Sequence, residues 1–212
     1  MPGDPVSRAP AAGRGAAGRE AAGHAGRWLG FWGKLPSRGD FVRWGLPRDF
    51  VAPWDAWLGA AVAHARRRLG EAWDAVWDAA SPRRFLLAPG VCGPCRVAGV
   101  WLPSRDRVRR SYPLTLAAEI GSARDGAGPF LRRAEEAGRA ALRDGLDPAG
   151  LAARLLAPDP FEGPGEAGEP DEGPPSWPAR GSVWRRGGAW AACAGLPCGS
   201  VFVSLLLGRE AP

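Results

Sequence analysis

The sequence predicts one α/β domain, a mixed β-sheet covered by α-helices. Short apolar runs of strand length alternate with stretches whose apolar residues recur every three or four positions, in the order strands, helices, strands, helices, strands. The 212 residues suffice for one large core, and 45% of them are apolar. The 31 glycines and 22 prolines are clustered, so they mark boundaries. They delimit a tail at 1–26, a domain at 27–208, and a flexible insertion within it at about 158–180.

The tail, MPGDPVSRAPAAGRGAAGREAAGHAG, offers nothing to pack and is expected to be disordered. An aromatic strand runs from Trp28 to Trp32 and breaks at Gly33, where a Pro/Gly-rich loop leads to a second apolar piece. Pro53 stands in the first turn of a helix, where its missing N–H costs nothing. Trp54, Leu58, Ala61, Ala65, Leu69, Trp73 and Val76 then recur at helical spacing, with Gly70 dividing the helix in two or kinking it and Pro82 ending it. RFLLAPG and RVAGVWLPS read as buried strands joined by a turn at Pro89–Gly90, and SYPLTLAAEI as a third with Pro113 at its start or on an edge. Helical spacing returns over 129–144, followed by a short helix over 148–157. The acidic stretch PDPFEGPGEAGEPDEGPPSWP is the insertion, and GSVWRRGGAW with VFVSLLLG reads as a closing pair of strands.

Composition excludes several classes. No run approaches the roughly 18 apolar residues of a membrane span, and the tail lacks the apolar core of a secretory signal. A cytoplasmic protein with reduced thiols, without membrane insertion, is expected. The net charge is +6, and Lys34 is the single lysine among the 28 basic residues. Arginine-rich stretches at 66–68, 83–84 and 105–110 could contact phosphates. The aromatics, however, are mostly tryptophans at core spacings (Trp54, Trp57, Trp73, Trp77) rather than a stacking platform, so no nucleic-acid partner is expected. A basic nucleic-acid-binding protein stays open as an alternative.

Cys92-Gly-Pro-Cys95 has the spacing of a thioredoxin dithiol. Such a dithiol needs its first thiol at a helix N-terminus, where the dipole and free N–H groups stabilise thiolate. Arg-Val-Ala-Gly-Val-Trp-Leu-Pro follows Cys95 and reads as a strand. Two ordinary thiols near a turn are therefore expected, with a thiol oxidoreductase as a further alternative. Cys92, Cys95, Cys193 and Cys198 could close a zinc site only if the last strand lay beside the turn; small buried hydrophobes are the simpler reading. His24 falls in the tail and His64 on the helix beside three arginines, and there is no phosphate-binding glycine loop. Asp40 and Asp106 each have an arginine within two residues, so local ion pairing accounts for them as well as catalysis does. Neither an enzyme nor a cofactor is expected.

Two polar loops stand apart. GKLPSRGDFV and LPSRDRVRRSYPL each place Pro, Ser, Arg and Asp between apolar strands, where binding surfaces tend to sit; that their Ser and Asp side chains only tie the turns together through local hydrogen bonds accounts for them equally well. Lys34, Ser37, Arg38 and Asp40 in the first, with Ser104, Asp106, Arg107, Arg110 and Tyr112 in the second, form the candidate partner-binding set.

These loops also carry a resemblance. GFWGKLPSRGDFVRWGLPRDFVAPWDAWL, LAPGVCGP and GVWLPSRDRVRRSYPLTLA, followed late by GSVW, resemble the N-terminal domain of the TagF family of type VI secretion-associated proteins. The match runs from about Phe31 to Ala118, plus the late piece. Cys92 stands where that pattern has a cysteine, Cys95 falls outside it, and Arg109 replaces a glycine of the usual Arg-Val-Gly-Arg run. The resemblance implies a cytoplasmic post-translational repressor of type VI secretion. Such a protein works by binding a forkhead-associated scaffold protein of the same system and not by catalysis.

Overall fold

The computed structural model describes residues 27–121, 127–157, 177–186 and 189–208. The tail at 1–26 and the insertion over 158–176 lie outside the described residues. In chain order the elements are β1 (Leu29–Lys34), β2 (Phe41–Trp44), α1 (Arg48–Leu69), α2 (Trp73–Ala79), β3 (Arg83–Leu87), β4 (Val97–Leu102), β5 (Leu114–Glu119), α3 (Gly128–Asp144), α4 (Pro148–Leu156), β6 (Ser182–Arg186), β7 (Ala189–Cys193) and α5 (Gly199–Leu207).

The strands make one seven-stranded sheet in the order β2-β1-β5-β4-β3-β6-β7. The α/β domain is as expected, and the mixed sheet resolves to one in which every pairing is antiparallel. Alternation along the strands feeds two cores. Phe85, Leu87, Val97, Trp101, Ala117 and Trp184 pack under α1, α2 and α5. Leu86, Ala98, Val100, Leu102, Leu116 and Val183 pack under α3 and α4. With both faces covered, β4 is buried at every position, which is why it reads as an unbroken apolar run. Among the described residues, no helix is long and apolar enough to cross a membrane.

Gly70 divides the first helical region as expected: a 3-10 turn, Gly70–Ala72, separates α1 from α2. Three elements differ from the sequence reading. Helix α1 begins at Arg48, after Pro47, so Pro53 lies inside it and not in its first turn. An internal proline costs about 3 kcal/mol. Starting the helix early buries Phe50 and Val51 in the stripe that continues through Trp54 and Leu58, at roughly 1.5–3 kcal/mol for each large side chain. The second difference is at the end of the chain. GSVWRRGGAWAAC supplies the closing hairpin, and VFVSLLL forms α5 in place of a strand. An apolar run of that length carries no usable period. What makes it a helix here is burial of Phe202, Val203, Leu205 and Leu206 against the α1 side. The Arg83 guanidinium also donates to the Leu205 carbonyl at 2.8 and 2.6 Å.

Gly33 was expected to end β1, but it sits within it at φ +136°. A Cβ there would lie 2.0 Å from the Pro113 carbonyl oxygen. Glycine thus lets β1 run on to Lys34 while pressed against the start of β5. That close approach brings the two polar loops together.

Candidate interaction surface

The loop after β1 and the loop after β4 leave the same end of the sheet, because β1 and β4 both pair antiparallel to β5. In the first, Leu35 is fully buried and anchors a turn closed by Arg38 N–H to the Leu35 carbonyl at 3.0 Å. The Ser37 hydroxyl donates to the Leu146 carbonyl at 2.7 Å, tying this loop to the end of α3. In the second, Asp106 organises the chain: Oδ1 accepts from the N–H groups of Val108 (3.0 Å) and Arg110 (2.8 Å). Arg109 N–H closes the turn on the Asp106 carbonyl at 2.8 Å, as an aspartate does when its side chain mimics the backbone.

The loops are then locked to each other. Lys34 Nζ donates to Asp106 Oδ2 in a buried ion pair, and Arg110 Nε joins the same oxygen at 2.7 Å. The Ser104 hydroxyl donates to the Lys34 carbonyl at 2.7 Å. Arg107 N–H reaches the Arg38 carbonyl at 2.9 Å, and the Arg110 guanidinium bonds the Gly39 carbonyl. Burial would raise the Asp106 carboxyl, but the Lys34 and Arg110 hydrogen bonds outweigh it and hold the group well below the ordinary carboxylate range. Its ion pairs are with Lys34 and Arg110, not with neighbouring Arg105 or Arg107. Arg105 instead reaches Asp74 and Asp78 on α2, at 2.7 and 2.8 Å.

All nine candidate residues therefore gather at one end of the sheet, in two layers. Lys34, Ser104, Asp106 and Tyr112 are buried and brace the loops. Tyr112 donates to Asp55 on α1, and its hydroxyl is pushed up by burial and by that carboxylate. Arg38, Asp40, Arg107 and Arg110 are exposed, and Ser37 is half-buried. The sequence reading missed two apolar members of the outer layer, Phe41 (40% exposed) and Val108 (60%). Phe41 stacks on Trp32 (ring centroids 5.0 Å apart), meets Tyr112 edge-on at 4.8 Å, and lies under Lys34 Nζ at 5.0 Å. One signal for Phe41 was available: alternation puts it on the strand face opposite buried Val42.

The cysteines lie elsewhere. Cys92 sits in the β3–β4 turn, closed by Gly90 N–H to the Gly93 carbonyl at 2.7 Å, and β4 rather than a helix follows. Burial pushes its thiol up to about 12. Cys95 is raised too, first by burial and then by Glu119. Cys193 ends β7, which is three strands along the sheet from β4, about 14 Å at the usual spacing. Cys198 is exposed before α5, and no disulfide joins any two of the four cysteines. Among the described residues no three His, Cys, Asp or Glu side chains come together as metal ligands. Of the arginine-rich stretches, 66–68 forms the last turn of α1, where cations complement the helix dipole. Arg84 pairs with Glu135 at 2.8 Å.

A family model described as the TagF N-terminal domain, type VI secretion system-associated, matches residues 30–157. The fold is similar to the crystal structure of PA0076 from Pseudomonas aeruginosa PAO1, with TM-score 0.67 and 28% identity, over 87% of this chain and 96% of that one. No curated protein matches.

Proposed function

The chain belongs to the TagF N-terminal domain family of type VI secretion-associated proteins, and from that premise we propose that it is a non-catalytic, post-translational repressor of type VI secretion. It acts by binding a forkhead-associated scaffold component of the apparatus in the cytoplasm. The observation that carries this reading is the pair of interlocked loops, held by the buried Lys34–Asp106 brace and exposing Arg38, Phe41, Arg107, Val108 and Arg110. A face ordered before contact loses less entropy on binding. The titratable groups behind it are occupied as structure: Asp106 is held ionised by four hydrogen bonds, and Tyr112 is held protonated by Asp55.

The test uses the full chain with the forkhead-associated protein of its own secretion system. Calorimetry should detect a complex that weakens in Arg38→Ala and Arg107→Glu variants with unchanged melting. In cells, excess chain should reduce secretion without changing the abundance of apparatus proteins. Absence of the complex, together with unaltered secretion, overturns the proposal.

A further inference from the structure

We propose that this surface takes an extended, acidic segment of a partner protein, laid along the free edge of β2 with its carboxylates over the loop arginines. The inference rests on reading these loops as a partner-binding face, and it adds the chemistry of the segment that fits them.

Charge points to an acidic occupant. Lys34 neutralises Asp106 below the surface, so the two loops present Arg38, Arg107, Arg109 and Arg110 with Asp40 as their own exposed acid, while Asp147 before α4 lies 3.8 Å from Arg38. Arg109 is 76% exposed, and its nearest acid, Asp78, is 4.0 Å away. Arg110 is held in place by Asp106 and the Gly39 carbonyl, yet its side chain remains 59% exposed. Its guanidinium is thus oriented and still accessible to a second carboxylate, the bidentate geometry arginine favours.

Backbone geometry points to an extended occupant. β2 is the end strand of the sheet and, among the described residues, pairs with β1 alone. Val42 and Trp44 turn into the core beneath α3 and α4, while Phe41 and Arg43 turn the other way and are exposed. An unpaired edge offers backbone donors and acceptors to another strand. This edge begins at Phe41, directly after the Arg38–Asp40 loop. Two of the three exposed large apolar side chains among the described residues, Phe41 and Val108, lie here. An alternating acidic and apolar segment satisfies all three features: backbone to β2, apolar side chains on Phe41 and Val108, carboxylates on the arginines.

The experiment measures fluorescence anisotropy of the full chain with a labelled peptide alternating glutamate and valine, and with its lysine-for-glutamate counterpart. The acidic peptide should bind about tenfold or more tightly than the basic one, and weaken as salt shortens the range of the charges. Arg107→Glu and Val108→Asp, both at exposed positions, should each weaken it about tenfold at unchanged melting temperature. N-methylation of alternate peptide amides should abolish binding. Equal binding of the two peptides, or no effect of Arg107→Glu, overturns the inference, and binding that survives N-methylation overturns the strand pairing. The forkhead-associated component is measured in parallel. If it binds without regard to salt or Arg107→Glu, the acidic-segment inference fails while the partner stands. If it does not bind but the acidic peptide does, the partner fails while the surface stands.

Discussion

The two ends of β4 make opposite use of burial. The chain enters β4 from the Cys92 turn and leaves it into the Asp106 loop, and both ends carry residues that in isolation suggest chemistry. At the Asp106 end a buried carboxylate receives four hydrogen bonds, two of them from cations, so burial goes with a charged, fully satisfied group. At the Cys92 end burial is the cause of the shift, and the thiol is pushed up to about 12. This end borders an open cleft of about 460 Å³ that includes Cys95 and Glu119, yet the carboxylate there opposes thiolate formation at Cys95 rather than assisting it. Burial alone fixes neither reactivity nor charge; the donors supplied with it decide which form survives.

The largest effect should come from breaking the charged end. Lys34→Met leaves Asp106 buried with only Arg110 as a cation. Removing one partner of a buried pair costs about 3 kcal/mol or more, so urea unfolding should show a loss of that order, against little change for Cys198→Ala at an exposed thiol. A loss below about 1 kcal/mol would mean that Arg110 alone suffices for Asp106.

The pH dependence follows from the same pair. Asp106 has a folded-state pKa below its unfolded value, so its contribution is present above the ordinary carboxylate pKa and is lost as pH falls through and below it. Glu135, lowered by Arg84 and Arg139 against the opposing effect of burial, adds to the acid loss in the same window. Stability should decline below about pH 4, and Asp106→Asn should flatten that decline without abolishing it. An unchanged acid profile in Asp106→Asn would place the titration elsewhere. The cysteine end has the opposite sign. Cys92 is raised, so its contribution is intact below the ordinary thiol pKa and is lost as pH rises towards 12. At neutral pH, alkylation followed by mass spectrometry should label exposed Cys198 first and Cys92 last, and the chain should reduce insulin disulfides no faster than its Cys92→Ser variant. Rapid labelling of Cys92 would break the contrast between the ends.

Legibility in the sequence differed along the same lines. Helices α3 and α4 were readable because one face of each is apolar, and β3 to β5 because both faces of the sheet are covered. α5 was not, since a run buried on most sides has no period to read. The candidate set came from polar residues interrupting apolar strands, and the structure does gather it. What local sequence could not supply was depth. Lys34 and Asp106 are 72 positions apart, and only the Gly33–Pro113 approach makes them neighbours. Reading Asp106 against its nearest arginines gave the wrong partners for that reason. Val108 escapes notice as a single apolar residue among arginines, and Phe41 because it opens an apolar strand beside Val42 and reads as core.

The smallest expected effect concerns Arg109, the one non-glycine with positive φ, +68°, among the described residues. A left-handed conformation costs an ordinary L-residue about 1–2 kcal/mol, whereas glycine adopts it freely but loses about 0.5–1 kcal/mol through its looser unfolded state. The position is the fourth residue of the Asp106 turn, where the TagF pattern has glycine. Arg109→Gly keeps the backbone bonds from Arg109 N–H to Asp106 and from Arg105 to the Arg109 carbonyl. It gives up only an exposed 4.0 Å contact with Asp78, and such contacts contribute little. The variant should therefore be more stable by up to about 1 kcal/mol, seen as a melting temperature raised by about 2–4 °C. It should at the same time bind the acidic peptide more weakly, having lost one of four arginines. Stability and binding moving in opposite directions would assign Arg109 to the surface at the expense of the turn. A drop in both would mean that its side chain also helps to hold the loop.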